Sequence, residues 1–219
     1  MRRSALDAAA IWAGLIGASV LTLGSVVTGF AYRGTEDERY SPFNHWVSEL
    51  GELDVSKLAP VFNGSLVIGG LLFAVFMFGL ALTRTSRLRV FYGMLGVVAG
   101  IAGTGVGIFP MNDLDRHAIV ALTFFNLGWI AVGLASLDFA LHPDARFPRW
   151  LSVLGGVTVV AFVSFLVSLF TEGLIGDRGL AAPDVRASFW IVPTLEWALI
   201  VGIVTWVFLT AWSWRRGTR

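Results

Sequence analysis

The 219-residue chain contains no cysteine. Disulfides, thiolate metal sites and cysteine nucleophiles are therefore excluded, and cysteine usage gives no reading of redox compartment. Charge is scarce as well: Asp, Glu, Lys and Arg make up 14% of the residues, against roughly 25% in a soluble domain. Lys57 is the only lysine and falls in a loop, so no span carries a Schiff-base lysine of the retinal-binding type. A haem-attachment motif and a nucleic-acid signature are also missing; the arginines are spread over short loops instead of gathering on one face, and no nucleic-acid partner is expected. What the chain has in abundance is apolar: 56% of the residues are hydrophobic and the mean hydropathy is +0.74. This composition describes an integral membrane protein, and the length suits one compact domain over residues 1–219.

A bilayer-crossing helix needs about 20 apolar residues, and helices are the spanning state for such runs because lipid cannot satisfy exposed backbone. Six runs qualify, at about 8–32, 60–83, 90–109, 118–141, 150–170 and 189–214. The first begins like a signal peptide, but its apolar run is too long and has no A-x-A site, so it is expected to stay as a span. Arginines divide unevenly between the connecting loops. Arg2, Arg3, Arg84, Arg87, Arg89, Arg146, Arg149, Arg215, Arg216 and Arg219 fall on one side; Arg33, Arg39, Lys57, Arg116, Arg178 and Arg186 fall on the other, with most of the acidic residues, Asp177 and Asp184 included. The positive-inside rule then predicts a multi-pass plasma-membrane protein with both termini cytoplasmic. Gly93, Gly96, Gly100, Gly103 and Gly107 stripe the third span, as close helix packing requires. Trp150, Trp190, Trp197, Trp212 and Trp214 near the span ends read as interfacial anchors.

Between the first two spans lies SPFNHWVSELG, residues 41–51. Ser41 followed by Pro42 reads as a helix start and Gly51 as its stop, which predicts a short external helix. In such a helix His45 and Glu49 share one side, and so do Asn44 and Ser48. Asn63 opens the second span; Asn112, Asp113, Asp115 and His117 follow the third; Glu196 sits roughly two turns inside the sixth. An ionisable residue inside a span is costly and counts by default as a functional candidate. Two His and several carboxylates can bind zinc or another divalent ion, with His45, Glu49, Asp113 and His117 as the ligand set and a metal-activated water as the reagent. Ser48 with His45 or His117, and Glu49, is the alternative nucleophile arrangement, although no GxSxG elbow surrounds the serine. Glu49 or Glu196 then serves as general base, and Asn44, Asn63 and Asn112 as orienting groups. A purely structural network is the competing reading, with Arg116 or Arg39 as partners. Near the other membrane face, Asp138 is expected to pair with Arg84 or Arg146.

YSPFNHWVSELG, PVFNGSLVIGGLLF and GIFPMNDLDRHAIVALTFF resemble the six-helix prokaryotic membrane family catalogued as domain of unknown function 998. That resemblance covers essentially the whole chain and implies an all-α polytopic fold of six helices in one bundle, with no activity attached. Val47–Gly51 is more distantly similar to the motif after the first span in the eukaryotic six-span group that includes the damage-regulated autophagy modulators, which points towards lipid chemistry by analogy only. The alkaline-ceramidase-like hydrolases place three His around zinc; with three His in total, His142 on the opposite side and no HxxxH, this chain departs from their pattern. The first functional expectation is therefore a lipid-modifying or lipid-handling protein with a polar site at the outer leaflet and membrane lipids as partners. The alternatives are an accessory subunit of a larger membrane complex and a small transporter.

Overall fold

The computed structural model describes residues 2–83, 86–174 and 186–218, so Arg84, Asp177, Arg178, Asp184 and Arg219 lie outside the described residues, as does much of the connection between the fifth and sixth spans. Six α-helices follow one another: α1 (Arg2–Ala31), α2 (Ala59–Leu82), α3 (Arg87–Ile108), α4 (Leu114–Leu141), α5 (Trp150–Thr171) and α6 (Ile191–Gly217). Two single 3-10 turns, Val47–Gly51 and Met111–Asp113, complete the regular structure, and no strand occurs among the described residues. All six helices are long and apolar enough to cross a bilayer. Each packs chiefly on its sequence neighbours, and α6 closes the ring against α1. Outward positions such as Leu23, Ile101, Val153, Val157 and Val160 are apolar and exposed, as lipid contact requires.

The glycine stripe of α3 works mainly against α2. A Cβ at Gly100 would lie 2.7 Å from the Ala74 nitrogen and 2.8 Å from the Gly70 oxygen, so the two backbones touch there. In a membrane, where the hydrophobic effect does not drive helices together, such close contact is a main source of association. Trp214 departs from its expected anchoring role. It is fully buried and packs on Phe76 and Phe147, because the aromatic core fills the bundle at this end.

Two ion-pair clusters hold the two ends of the ring. At the end carrying the α2–α3 and α4–α5 connections, Arg89 is fully buried. Its Nε donates to Asp138 Oδ2 at 2.8 Å with Nη2 2.6 Å from the same oxygen as an ion pair, its Nη1 donates to Thr83 Oγ1 at 2.7 Å, and its guanidinium lies 5.1 Å above the Phe147 ring centre. Tyr92 adds a hydrogen bond to the same carboxylate, and His142 Nδ1 stands 3.2 Å from its other oxygen. Asp138 thus pairs with Arg89 and not with Arg146, which binds Asp144 across its own turn. The opposite end is closed by residues 33–58 folded over the ring.

The stretch 41–51 does not form the expected helix. Only Val47–Gly51 is helical, as one 3-10 turn, and 42–45 form turns. The reason lies in where the carbonyls go. Phe43 O accepts from the Trp190 backbone N–H at 2.7 Å, Asn44 O from Arg186, and Trp46 O from the Tyr40 hydroxyl at 3.0 Å. The Trp46 and Val47 N–H groups donate to the Glu49 and Glu196 carboxylates, both at 2.8 Å. Tertiary partners have taken the groups that an α-helix would pair internally.

Candidate functional site

The polar residues singled out around 41–51 separate into two groups with different surroundings. The first is a closed network. Glu49, 1% exposed, receives Arg186 Nη1 at 3.0 Å and Nη2 at 2.6 Å, the Trp46 N–H, and the Tyr32 hydroxyl at 3.4 Å. The planar fork of the guanidinium matches the carboxylate, which makes this the strong bidentate form of ion pair. Asn44 ties the same strand of chain to the Ala187 carbonyl. Tyr40 donates to the Trp46 carbonyl and accepts from Trp197 Nε1 at 2.6 Å. Its burial, and then the nearby Glu196 carboxylate, push the phenol well above its ordinary range, so it remains a donor.

His45 belongs to this network. It is 2% exposed, flanked by Tyr32 and Tyr40, with Nδ1 2.7 Å from Asn44 Oδ1 and Nε2 3.8 Å from Glu38 Oε1. Burial, the largest influence, pushes its pKa below the ordinary 6.5; Arg186 acts the same way, while Glu49 and Glu38 oppose it. The unfolded chain therefore takes up a proton before the folded one does. Stability is full above about pH 6.5 and is lost as the pH falls from there towards the lower folded value. Unfolding temperatures at pH 8 and pH 5.5 should accordingly differ more for wild type than for His45→Phe. An equal pH dependence in the two proteins would show that His45 is not held neutral by the fold.

The second group is open. Ser48, His117 and Glu196 together line an interior cavity of about 100 Å³ bounded by α1, α2, α3, α4 and α6. His117, expected just outside the fourth span in the connection from the third, is buried in the first turns of α4 and turned inwards. Its Nδ1 lies 2.8 Å from the Phe109 carbonyl oxygen, which can only accept, so Nδ1 carries the proton. In the neutral ring this leaves the Nε2 lone pair unprotonated. Glu196 spends one oxygen on the Val47 N–H and thereby fixes the 3-10 turn as the cavity's roof. The rest of the lining is apolar or glycine, from Phe62 and Leu66 down to Phe73, Ala13 and Val207. A second cavity of about 30 Å³ shares Ser48, His117 and Glu196 and is closed on its far side by Met111, Leu114, Phe165 and Leu169. The three polar groups therefore stand on a partition between a long apolar chamber and a space that can hold water.

Asn63, Asn112 and Asp113 have other duties. Asn63 Nδ2 donates to the Gly51 carbonyl at 2.8 Å, and Asn112 pairs with both backbone groups of Leu53. Asp113 caps α4 and binds Arg116, and Asp115 is exposed. Among the described residues no group of three or more His, Asp or Glu side chains stands close enough to hold a metal ion. His45, Glu49, Asp113 and His117 are thus not brought together as one ligand set. Arg186, Tyr32 and Tyr40 were not singled out from sequence as site residues, Trp197 was read only as an interfacial anchor, and Arg116 and Arg39 are not the partners of Glu49.

The sequence profile of a family described as "Protein of unknown function (DUF998)" matches residues 16–213. The chain belongs to that family. Among curated proteins and among solved structures nothing matches. The matched range takes in the roof, all three polar groups and most of the chamber wall of this DUF998 protein; Ala13 and Gly14 of the wall lie just before it.

Proposed function

We propose that the protein is a lipid-handling membrane protein whose chamber takes a short apolar segment of a lipid and whose Ser48, His117 and Glu196 meet the polar end of that lipid. The carrying observation is the cavity's one-sided chemistry: apolar along its length, polar at one end only. Its lining on α6 runs from Glu196 to Val207, which at 1.5 Å per residue is about 16 Å, roughly half of the ~30 Å hydrocarbon core. That is the depth of one leaflet. The arginine distribution supports the reading that the roof end faces outwards and the site serves the outer leaflet.

An apolar chamber cannot draw a chain out of the bilayer, because lipid tails are as apolar as the cavity wall. Retention and selection then depend on the polar end, where a hydroxyl, an imidazole and a carboxyl converge on the lipid's head or linkage beside a water-sized space. Chemistry on the bound lipid would take place there; the closed Glu49–Arg186 network holds the roof in place.

The test is the lipid content of protein purified in mild detergent and read by mass spectrometry. Wild type should retain about one lipid per chain through extensive washing. Val204→Trp, which plugs the chamber, and Glu196→Leu, which removes its polar end, should both lose it, while Glu196→Gln, which can still accept from Val47, should fold normally. Equal lipid content in wild type and Val204→Trp would sink the reading.

A further inference from the structure

A different face of the molecule carries a polar group that the proposed site does not use. Asn126 is the central residue of the α4 span Met111–Leu141, with 15 residues on either side (126 − 111 and 141 − 126). Its side chain is exposed. Among the described residues its one hydrogen bond is internal, from Nδ2 to the Leu122 carbonyl at 2.8 Å. The Oδ1 acceptor and the second amide proton are left facing the hydrocarbon. The other ionisable or carboxamide side chains that lie a turn or more inside a span's ends, such as Asn63, His117, Asp138 and Glu196, have partners within the bundle. Exposed serine and threonine on the spans return their single proton to their own helix, as Ser19 and Thr22 do. Asn126 has no such escape, and an unpaired polar group at mid-bilayer costs several kcal/mol by the general rule for buried amides.

The same face of α4 is otherwise mostly apolar: Thr123, one turn away, returns its proton to the Ile119 carbonyl at 2.7 Å, and Asp115 lies at the helix end. Ile119 and Leu137 lie two and three turns away and are exposed, and Ile130 is one turn away and half-buried. This is a single hydrogen-bonding group centred in a stripe that can pack on another helix.

We infer that this face of α4 is the contact between two copies of the chain, with Asn126 of each copy paired to Asn126 of the other. Two copies inserted in the same orientation are related by a two-fold axis along the membrane normal, which sets α4 parallel to α4 and brings position 126 to position 126 at one depth. A carboxamide is self-complementary: each offers a C=O and an N–H to the other, so two reciprocal hydrogen bonds form with no further group needed. Any other partner would have to present a matching polar group at this depth; a second copy does so by symmetry. The inference is independent of the lipid site.

The chain has no cysteine, so a single introduced thiol is the only one present. Ile130→Cys, oxidised in native membranes, should give a cross-linked dimer. Val160→Cys, on the outward face of α5, should not. Adding Asn126→Leu to Ile130→Cys should remove the dimer band or weaken the dimer roughly three- to twenty-fold, the range reached by interhelical hydrogen bonds in membranes. Asn126→Gln, which keeps the carboxamide, should preserve it, and this comparison separates a lost hydrogen bond from a misfolded variant. The inference is overturned if Ile130→Cys stays monomeric, if Val160→Cys links equally well, if Asn126→Leu leaves the band unchanged, or if the thiol is captured by a different protein. None of these outcomes touches lipid retention, which Asn126→Leu should leave at the wild-type level.

Discussion

Replacing Arg186 with alanine should destabilise the protein by about 3 kcal/mol, the lower end of the range for breaking a buried pair by removing one partner. The lower end applies because the Arg186 side chain is 21% exposed, although Glu49 is only 1% exposed. What remains after the change is a buried carboxylate with the Trp46 N–H and the more distant Tyr32 hydroxyl as its donors. The damage therefore comes mainly from the stranded Glu49. Two comparisons isolate that cause. Arg186→Lys keeps the charge but loses the two-pronged geometry and should fall between wild type and alanine. Glu49→Gln combined with Arg186→Ala removes the stranded charge and should recover part of the loss. Thermal unfolding in detergent measures all four proteins. An Arg186→Ala unfolding temperature equal to wild type would make the pair an ordinary surface contact and leave the roof held by something else.

Arg89→Ala should cost about 3–5 kcal/mol, the larger of the two effects, because both partners are buried and Asp138 would be left in the core. The guanidinium links three elements: Thr83 at the end of α2, its own α3, and Asp138 on α4, and its stacking on Phe147 adds the α4–α5 connection. Replacing both charges with apolar residues, as Arg89→Met with Asp138→Leu, should be milder than Arg89→Ala alone, since no uncompensated charge remains. This cluster sits at the end of the bundle opposite the chamber's polar groups. Whatever fraction of Arg89→Ala folds should still retain lipid. Loss of lipid from folded Arg89→Ala would mean that the two ends of the bundle are coupled.

The six helices were legible in the sequence because each is an apolar run of bilayer length, a signal that survives without any knowledge of packing. Their ends were less so: α4 begins at Leu114, since Asp113 caps it, and this draws His117 into the helix and the interior instead of leaving it in the connection from α3. The 41–51 region was misread as a helix for a related reason. Ser41, Pro42 and Gly51 are genuine helix punctuation, but the carbonyls between them are claimed by Tyr40, Arg186 and Trp190, the last two more than 130 residues away. His45 and Glu49 stood out because they are polar in an apolar chain, yet their partners decide their role. Arg186 and Tyr32 complete a closed network around Glu49, whereas Ser48, His117 and Glu196 are brought together only by the ring of helices. Local spacing carries neither fact. Asp138 shows the same limit: Arg89 is 49 residues away on the preceding helix, and only the packing of α3 on α4 selects it above the other arginines of that side.

The most direct measurement uses a lipid whose acyl chain carries a diazirine near its end, photolysed with the protein in bilayers and followed by mapping of the labelled residues. Labelling should concentrate on the chamber wall, at positions such as Leu21, Phe73 and Ile203, and should disappear in Val204→Trp. Labelling confined to the outward residues Val153, Val157 and Val160, and unchanged by Val204→Trp, would mean that the chain stays in the surrounding bilayer and that the chamber is not a lipid site.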